Sequence, residues 1–206
     1  MKNIIAILFA MTLVLSFTAC ARKARVTQSW VDPSRTEYAA NDILVLGVGR
    51  SEVSLKLWEN VFVDQFTKME VRAKASHKVI GSVPEPDRKI IEAAIKKAGA
   101  SSVLITHIVD SKSKTYTHRG TVHSLPGGAY EDLHSYYGHT YRTVYTPPTD
   151  VTHTLVRLES NLYDAVTASL VWSAQSEVLN PNLLRTDYDR ITGILIADMK
   201  KNGVVE

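Results

Sequence analysis

Ile43-Leu44-Val45-Leu46-Gly47-Val48-Gly49-Arg50-Ser51-Glu52 is the stretch from which the rest of the chain can be read. A short, almost uninterrupted apolar run ending in glycines is the pattern of a strand buried on both faces, and Ser51 offers an oxygen that can cap the helix behind it. That helix is expected over about 52–72. Leu55, Trp58, Phe62, Phe66 and Met69 recur at steps of three or four and so share one face, with Val61 beside them. Lys56, Glu59, Asp64 and Lys68 fall elsewhere on its surface. The aromatic residues are core, not a ligand platform.

Working downstream, Ser76-His77-Lys78-Val79-Ile80-Gly81 reads as a second strand and Pro84-Glu85-Pro86 as a break. A second helix follows over about 87–98, stopped by Gly99, and Val103-Leu104-Ile105-Thr106-His107-Ile108-Val109 is a third strand. Strands alternating with helices of this length imply crossover connections and a parallel sheet. The pattern then changes. Between positions 110 and 119 apolar residues nearly vanish while Lys112, Lys114, Tyr116 and His118 alternate with small polar residues, as in a strand projecting beyond the core. Two alternating strands over about 152–163 and 170–178 form a hairpin, and a last helix covers about 187–201.

Upstream, Val26-Thr27-Gln28-Ser29-Trp30-Val31 is β-prone and is ended by Asp32-Pro33. The expected fold is α/β. It is a single mixed β-sheet, parallel in its first half and antiparallel in its second, packed with about three helices and carrying a long Tyr/His-rich hairpin or loop inserted at about 112–150.

The N-terminus gives an address. Met1-Lys2-Asn3 is a short cationic start, an apolar run of fourteen residues follows over 4–17, and Phe17-Thr18-Ala19 leads to Cys20, the only cysteine. The run is shorter than the ~18 residues of a spanning helix. A cleaved lipoprotein signal over 1–19 fits better, with Cys20 acylated, a tether and first strand over 20–42, and one domain over 43–206. Two or more acyl chains would anchor stably, each buried methylene contributing about 0.8 kcal/mol. Arg22, Lys23 and Arg25 stand close to that lipid. Ala21 after the cysteine, rather than Asp, resembles the pattern of bacterial lipoproteins sorted to the outer membrane.

Little in the sequence points to a reaction. A formal net charge of +3 over 206 residues is too mild for a nucleic-acid binder. Gly47-Val48-Gly49 lacks the third glycine of a dinucleotide fingerprint, whose place is taken by Glu52. Ser51 lies in Gly49-Arg50-Ser51-Glu52-Val53, without the second glycine of a nucleophile elbow. Among Glu59, Asp110, Glu131, Asp132 and Glu159 no spacing selects a catalytic pair. No cofactor is expected, and the chain is not expected to be an enzyme.

The segment between the third strand and the final hairpin holds two candidate chemistries. His118, His123, His134 and His139 could gather around zinc, copper or nickel, with His107 and His153 on strands close by, although steps of five, eleven and five positions match no standard zinc spacing. Tyr130, Tyr136, Tyr137 and Tyr141 suit a contact surface better, because tyrosine supplies large area with few rotatable bonds. Deleting 120–145 should then leave folding nearly intact.

Several short motifs, taken in order, resemble a group of proteobacterial lipoproteins of no established activity. They are Ser29-Trp30-Val31-Asp32-Pro33, the strand over 43–49, Trp58-Glu59-Asn60, Ala98-Gly99-Ala100 before Val103-Leu104-Ile105-Thr106, and Leu162-Tyr163-Asp164 leading to Leu170-Val171-Trp172. More distantly, the order of elements is similar to the α/β domains of the amino-terminal part of TolB and of the curli secretion lipoprotein. The resemblance implies an envelope address and no reaction. The expected function is therefore binding or assembly at the envelope, with the membrane held through Cys20 and an envelope protein as a possible partner. A histidine-rich metal-binding lipoprotein is the alternative.

Overall fold

The computed structural model describes residues 24–35, 38–81, 83, 86–123, 144–182 and 184–205. Cys20, Tyr130, Tyr136, Tyr137, Tyr141, His134 and His139 lie outside them.

The strands are β1 (Ala24–Val31), β2 (Asp42–Val48), β3 (Arg72–Ala75), β4 (Ser102–His118), β5 (Thr121–His123), β6 (Val144–Thr146), β7 (Thr149–Asp164) and β8 (Leu170–Leu179). The helices are α1 (Glu52–Lys68), α2 (Ser76–Ile80), α3 (Arg88–Ala98) and α4 (Arg185–Lys201). Six strands form one sheet in the order β1-β8-β7-β4-β2-β3, and β5 pairs with β6 separately. β3, β2 and β4 run parallel, whereas β4, β7, β8 and β1 are successively antiparallel, so the fold is α/β on a mixed sheet.

The buried run in β2 has its cause in the crossovers. From β2 the chain passes through α1 to β3 on one side, then through α2 and α3 to β4 on the other. Ile43 and Val45 pack into the large core with Trp58, Phe62 and Phe66 of α1, while Leu44 packs with Ala94 and Ala98 of α3. Gly47 is glycine for a packing reason, since a Cβ there would meet Leu55 Cδ2 at 2.9 Å. Ser51 Oγ accepts from Ser54 N at 3.3 Å and caps α1, and Asp87 accepts from Ile90 N at 2.8 Å to cap α3. Gly99 ends α3 at φ 65°, a left-handed position that suits glycine.

Three expectations need correction. α1 stops at Lys68, because Glu70 takes φ 62° and turns the chain into β3. Ser76–Ile80 is a short helix and the strand is the four residues before it, so there are four helices instead of three. Val79 and Ile80 look strand-like by composition, but they pack against the α3 cluster, and Glu59 accepts the first free amide of α2. Glu59 itself is not a surface residue of α1. It is 3 % exposed.

The antiparallel half is covered on one face only. Leu158 and Leu162 of β7 and Trp172, Ala174 and Val178 of β8 join the core beneath α1 and α4. Trp172 Nε1 donates to Asp198 Oδ2 on α4 at 3.0 Å, and Ser29 Oγ donates to the other oxygen at 3.1 Å. The residues between them point the other way. Asp164 closes the β7–β8 hairpin, its carboxylate accepting from Thr167 N and Val166 N at 2.8 Å and from Arg35 Nη1 at 2.7 Å. The amide of Thr167 is the chief cause holding its carboxyl down to about 2, with Arg35 and the Thr167 hydroxyl adding to it against burial.

β4 and β7 stay paired from Ser102↔Asp164 out to His118↔Thr149, with a bulge at Val109 between Ile108 and Asp110. The sheet around them ends sooner. Ala24 pairs with Val178, Val178 with Val156 and Val156 with Ser111; one row further Leu179 of β8 still pairs with Leu155, and beyond it β4 and β7 continue as a two-stranded ribbon. This is the projecting strand expected from the loss of apolar residues after position 109. Its base receives one splint from β8: Asn180 N donates to Thr154 O, and Asn180 Oδ1 accepts from Thr154 N, both at 2.7 Å.

Candidate functional site

The uncovered face of the antiparallel half runs without a break onto the ribbon. Odd-numbered residues of β7 lie on it, from Tyr163 and Asn161 through Glu159 and Arg157 to His153 and Val151. Cross-strand register adds Ser173, Gln175 and Glu177 of β8 and Arg25 and Trp30 of β1. Trp30 is 47 % exposed there. The bulge at Val109 brings Asp110, Lys112, Lys114, Tyr116 and His118 of β4 to the same face, because one extra residue reverses which set points outward.

An ionic row crosses this face at the base of the ribbon. Arg25 Nη2 reaches Glu177 Oε2 at 2.8 Å, and Arg157 Nε reaches Glu177 Oε1 at 2.9 Å. Arg157 Nη1 lies 3.8 Å from Asp110, which Lys112 Nζ meets at 3.0 Å. Four strands are thus joined side chain to side chain. Hydrogen bonds from Arg25 and then Arg157 hold the Glu177 carboxyl below its ordinary range, and Lys112 does the same first for Asp110, with Arg157 assisting.

The two faces of the ribbon differ in chemistry. One is a ladder of hydroxyls, with Ser113 to Thr154 at 2.9 Å, Thr115 to Thr152 at 2.9 Å and Thr117 to Asp150 at 2.6 Å. The other, continuous with the uncovered sheet, carries cations and rings. Lys114 Nζ sits 4.9 Å from the Tyr116 ring centre, and the Tyr116 and His153 rings meet edge-on at 5.7 Å. A strand pair exposed on both faces gains little from apolar burial, so cross-strand hydroxyl and ring pairs are what hold it. Such a surface can bind anions and apolar rings.

A second cluster lies at the carboxyl ends of β2 and β3. Glu59 Oε1 accepts from Gly47 N at 3.0 Å and Ser76 Oγ at 2.7 Å, and Oε2 accepts from His77 N at 3.0 Å and faces His77 Nδ1 at 2.6 Å. One buried carboxylate therefore ties α1 to the end of β2 and to the start of α2. The crevice beside it holds about 20 Å³, room for a single water. This arrangement fastens elements together and leaves no space for a substrate. An open depression of about 570 Å³ lies by the opposite ends of β2 and β3, lined by Thr67, Val71, Ala73 and Ala98, with the Arg72–Asp42 ion pair at 2.6 Å.

Of the histidine candidates, His118 stands exposed near the end of the ribbon, and for His123 only the backbone, in β5, is described. His134 and His139 lie outside the described residues, as do the four tyrosines and Cys20. No three His, Cys, Asp or Glu residues gather at metal-binding distance among the described residues. Sequence reading missed the role of Glu59. Its position one residue after Trp58, on the flank of the apolar stripe, was the available sign. No described helix is long and apolar enough to cross a membrane.

No family model matches the chain, and no curated protein matches it. Solved structures similar to it include the PelC dodecamer from Paraburkholderia phytofirmans, at 11 % identity over 89 % of this chain and 99 % of that one, with a TM-score of 0.47. Lipoprotein GNA1162 from Neisseria meningitidis is another, at 13 % identity over 78 % of this chain and 96 % of that one, with a TM-score of 0.41. Both are distant likenesses in the course of the chain, and one of the two is a lipoprotein.

Proposed function

We propose that this is a lipid-anchored protein of the bacterial envelope, at the outer membrane, that acts by binding and not by catalysis. The observation that carries the reading is the uncovered sheet face, which continues unbroken onto a ribbon exposed on both sides. Antiparallel sheets commonly leave one face to water. Extending two strands by seven pairs beyond any covering helix is costly in chain order and is understandable where the extension meets something. Cys20 is the anchor in this reading, and Tyr130, Tyr136, Tyr137 and Tyr141 are contact residues in the segment that the ribbon leads to.

The test places a photo-crosslinking residue at Gln175, on the uncovered face, and a matched one at Lys97 on α3, in cells. Capture of one defined envelope component from position 175 and not from 97 is the expected result. Equal or absent capture at both positions would refute a contact role for this face.

A further inference from the structure

The ribbon and the N-terminal tether leave the sheet at the same end. Ala24 begins β1 in the row that runs through Val178 and Val156 to Ser111, and the two-stranded ribbon starts two residues beyond Ser111, after Leu179 of β8. Cys20 stands four residues before Ala24, so the lipid of the reading above is within about 14 Å of Ala24 at full extension. The ribbon carries residues 112–118 beyond that row, which is about 24 Å at ~3.4 Å per residue. β1 extends a similar distance in the other direction. Neither end of the strands can point squarely at the bilayer, because each is longer than the tether. The strands therefore lie oblique or flat to the membrane and not along its normal.

Lying down, the domain can turn either face to the lipid. On one side α1 and α4 would hold the sheet a helix diameter away, about 10 Å. On the other side α2 and α3 cover only the parallel half, over β2 and the start of β4, so a roll about the strand axis brings the ribbon and the uncovered antiparallel half to the surface beside them. There Lys112, Lys114, Tyr116 and His118 share one face, with His153 and Val151 opposite them. Beyond Asp110, which is paired with Lys112, no carboxylate lies on that face among the described residues. Asp150 is on the other face, bonded to Thr117. In sequence, Arg22 and Lys23 stand immediately before Ala24, and Arg119 follows the ribbon strand. Cations beside a tyrosine suit the headgroup layer, where anionic lipid attracts lysine and arginine and the amphipathic ring sits at the water boundary.

We infer that the cation-and-tyrosine face of the ribbon lies on the bilayer that holds Cys20, against anionic lipid headgroups. This rests on the anchored reading and adds to it an orientation and a second, non-covalent membrane contact. The ribbon then fixes how the rest of the uncovered face is presented.

The test uses the full-length acylated protein in vesicles of phosphatidylcholine with one quarter phosphatidylglycerol and a headgroup-attached quencher. V151C and T152C place a fluorophore on the two opposite faces of the ribbon. Quenching severalfold stronger at 151 than at 152 is expected. K112Q/K114Q should weaken docking roughly 25-fold, about fivefold for each cation near such a surface. Quenching at 151 should also fall in vesicles of phosphatidylcholine alone.

Equal quenching at 151 and 152, on protein whose intact mass shows the acyl chains, would overturn the ribbon contact and leave the anchor standing. Quenching at 151 that ignores both lipid charge and the lysine changes would overturn the headgroup chemistry. An intact mass without acyl chains would overturn the anchor, and this inference with it.

Discussion

β4 begins and ends in two different physical worlds. From Ser102 to Thr106 it is a central strand, with Leu104 in the large core and Val103 in the smaller one, so both faces are closed by helices. From Ser111 to His118 the same strand has one neighbour and water on both sides. In the first stretch apolar burial decides the conformation. In the second the work is left to the backbone ladder, the hydroxyl pairs and the Tyr116–His153 contact. A continuous strand is therefore no sign of uniform stability, and the part that is cheapest to alter is the part best exposed for contact.

Four variants and one exchange measurement would break or sharpen this contrast. Phe62, fully buried between the Trp58 and Phe66 rings, should be the most costly to truncate. F62A is expected to lose about 3–5 kcal/mol in chemical denaturation. E59A should follow at about 3 kcal/mol, because it strands the buried donors of Gly47, Ser76 and His77 without a partner. A loss below 1 kcal/mol would mean that water replaces the carboxylate and that the latch is dispensable.

Asp164 gives a smaller, pH-dependent effect. Its folded carboxyl lies near 2, below the ordinary 3.8, so it contributes stability above about pH 4 and loses it as pH falls toward 2. D164N should flatten that part of the acid limb and leave the neutral range with a constant offset. An unchanged acid profile would assign the limb to other carboxylates. The smallest change is expected on the ribbon, where T115V/T152V replaces one hydroxyl pair and should stay within about 0.5 kcal/mol of the parent. Amide exchange should report the same order, fast over residues 112–118 and slow over 102–106.

The elements that could be read in advance are those whose local pattern and tertiary environment agree. The run in β2, the stripe of α1, Asp87 and Gly99 at the ends of α3, and the alternation in β7 and β8 all say locally what the fold then uses. The emptying of apolar residues after Val109 announced the ribbon. Glu59 was not legible, because a glutamate beside an apolar stripe becomes a buried latch only once Gly47, Ser76 and His77 converge on it from two other elements. Ser76–Ile80 was misread for a related reason: Val79 and Ile80 favour a strand in isolation, and their burial against α3 outweighs that preference. The shared end of tether and ribbon follows from the register of four strands distant in sequence.

Val109 has a consequence best put in terms of phase. Along a strand the side chains keep a beat of two, and the bulge inserts half a period into β4 while β7 opposite keeps time. Before it, even-numbered residues of β4 are heard in the core; after it, the same parity speaks to the outside. Removing this one residue would take out only the extra half-period: Asp110 would follow Ile108 directly, still opposite Arg157, and Lys112, Lys114, Tyr116 and His118 would keep their partners and their face. A single-residue deletion at Val109 is thus silent in phase, straightening the strand and relaxing its local twist while conserving both faces of the ribbon and its charge.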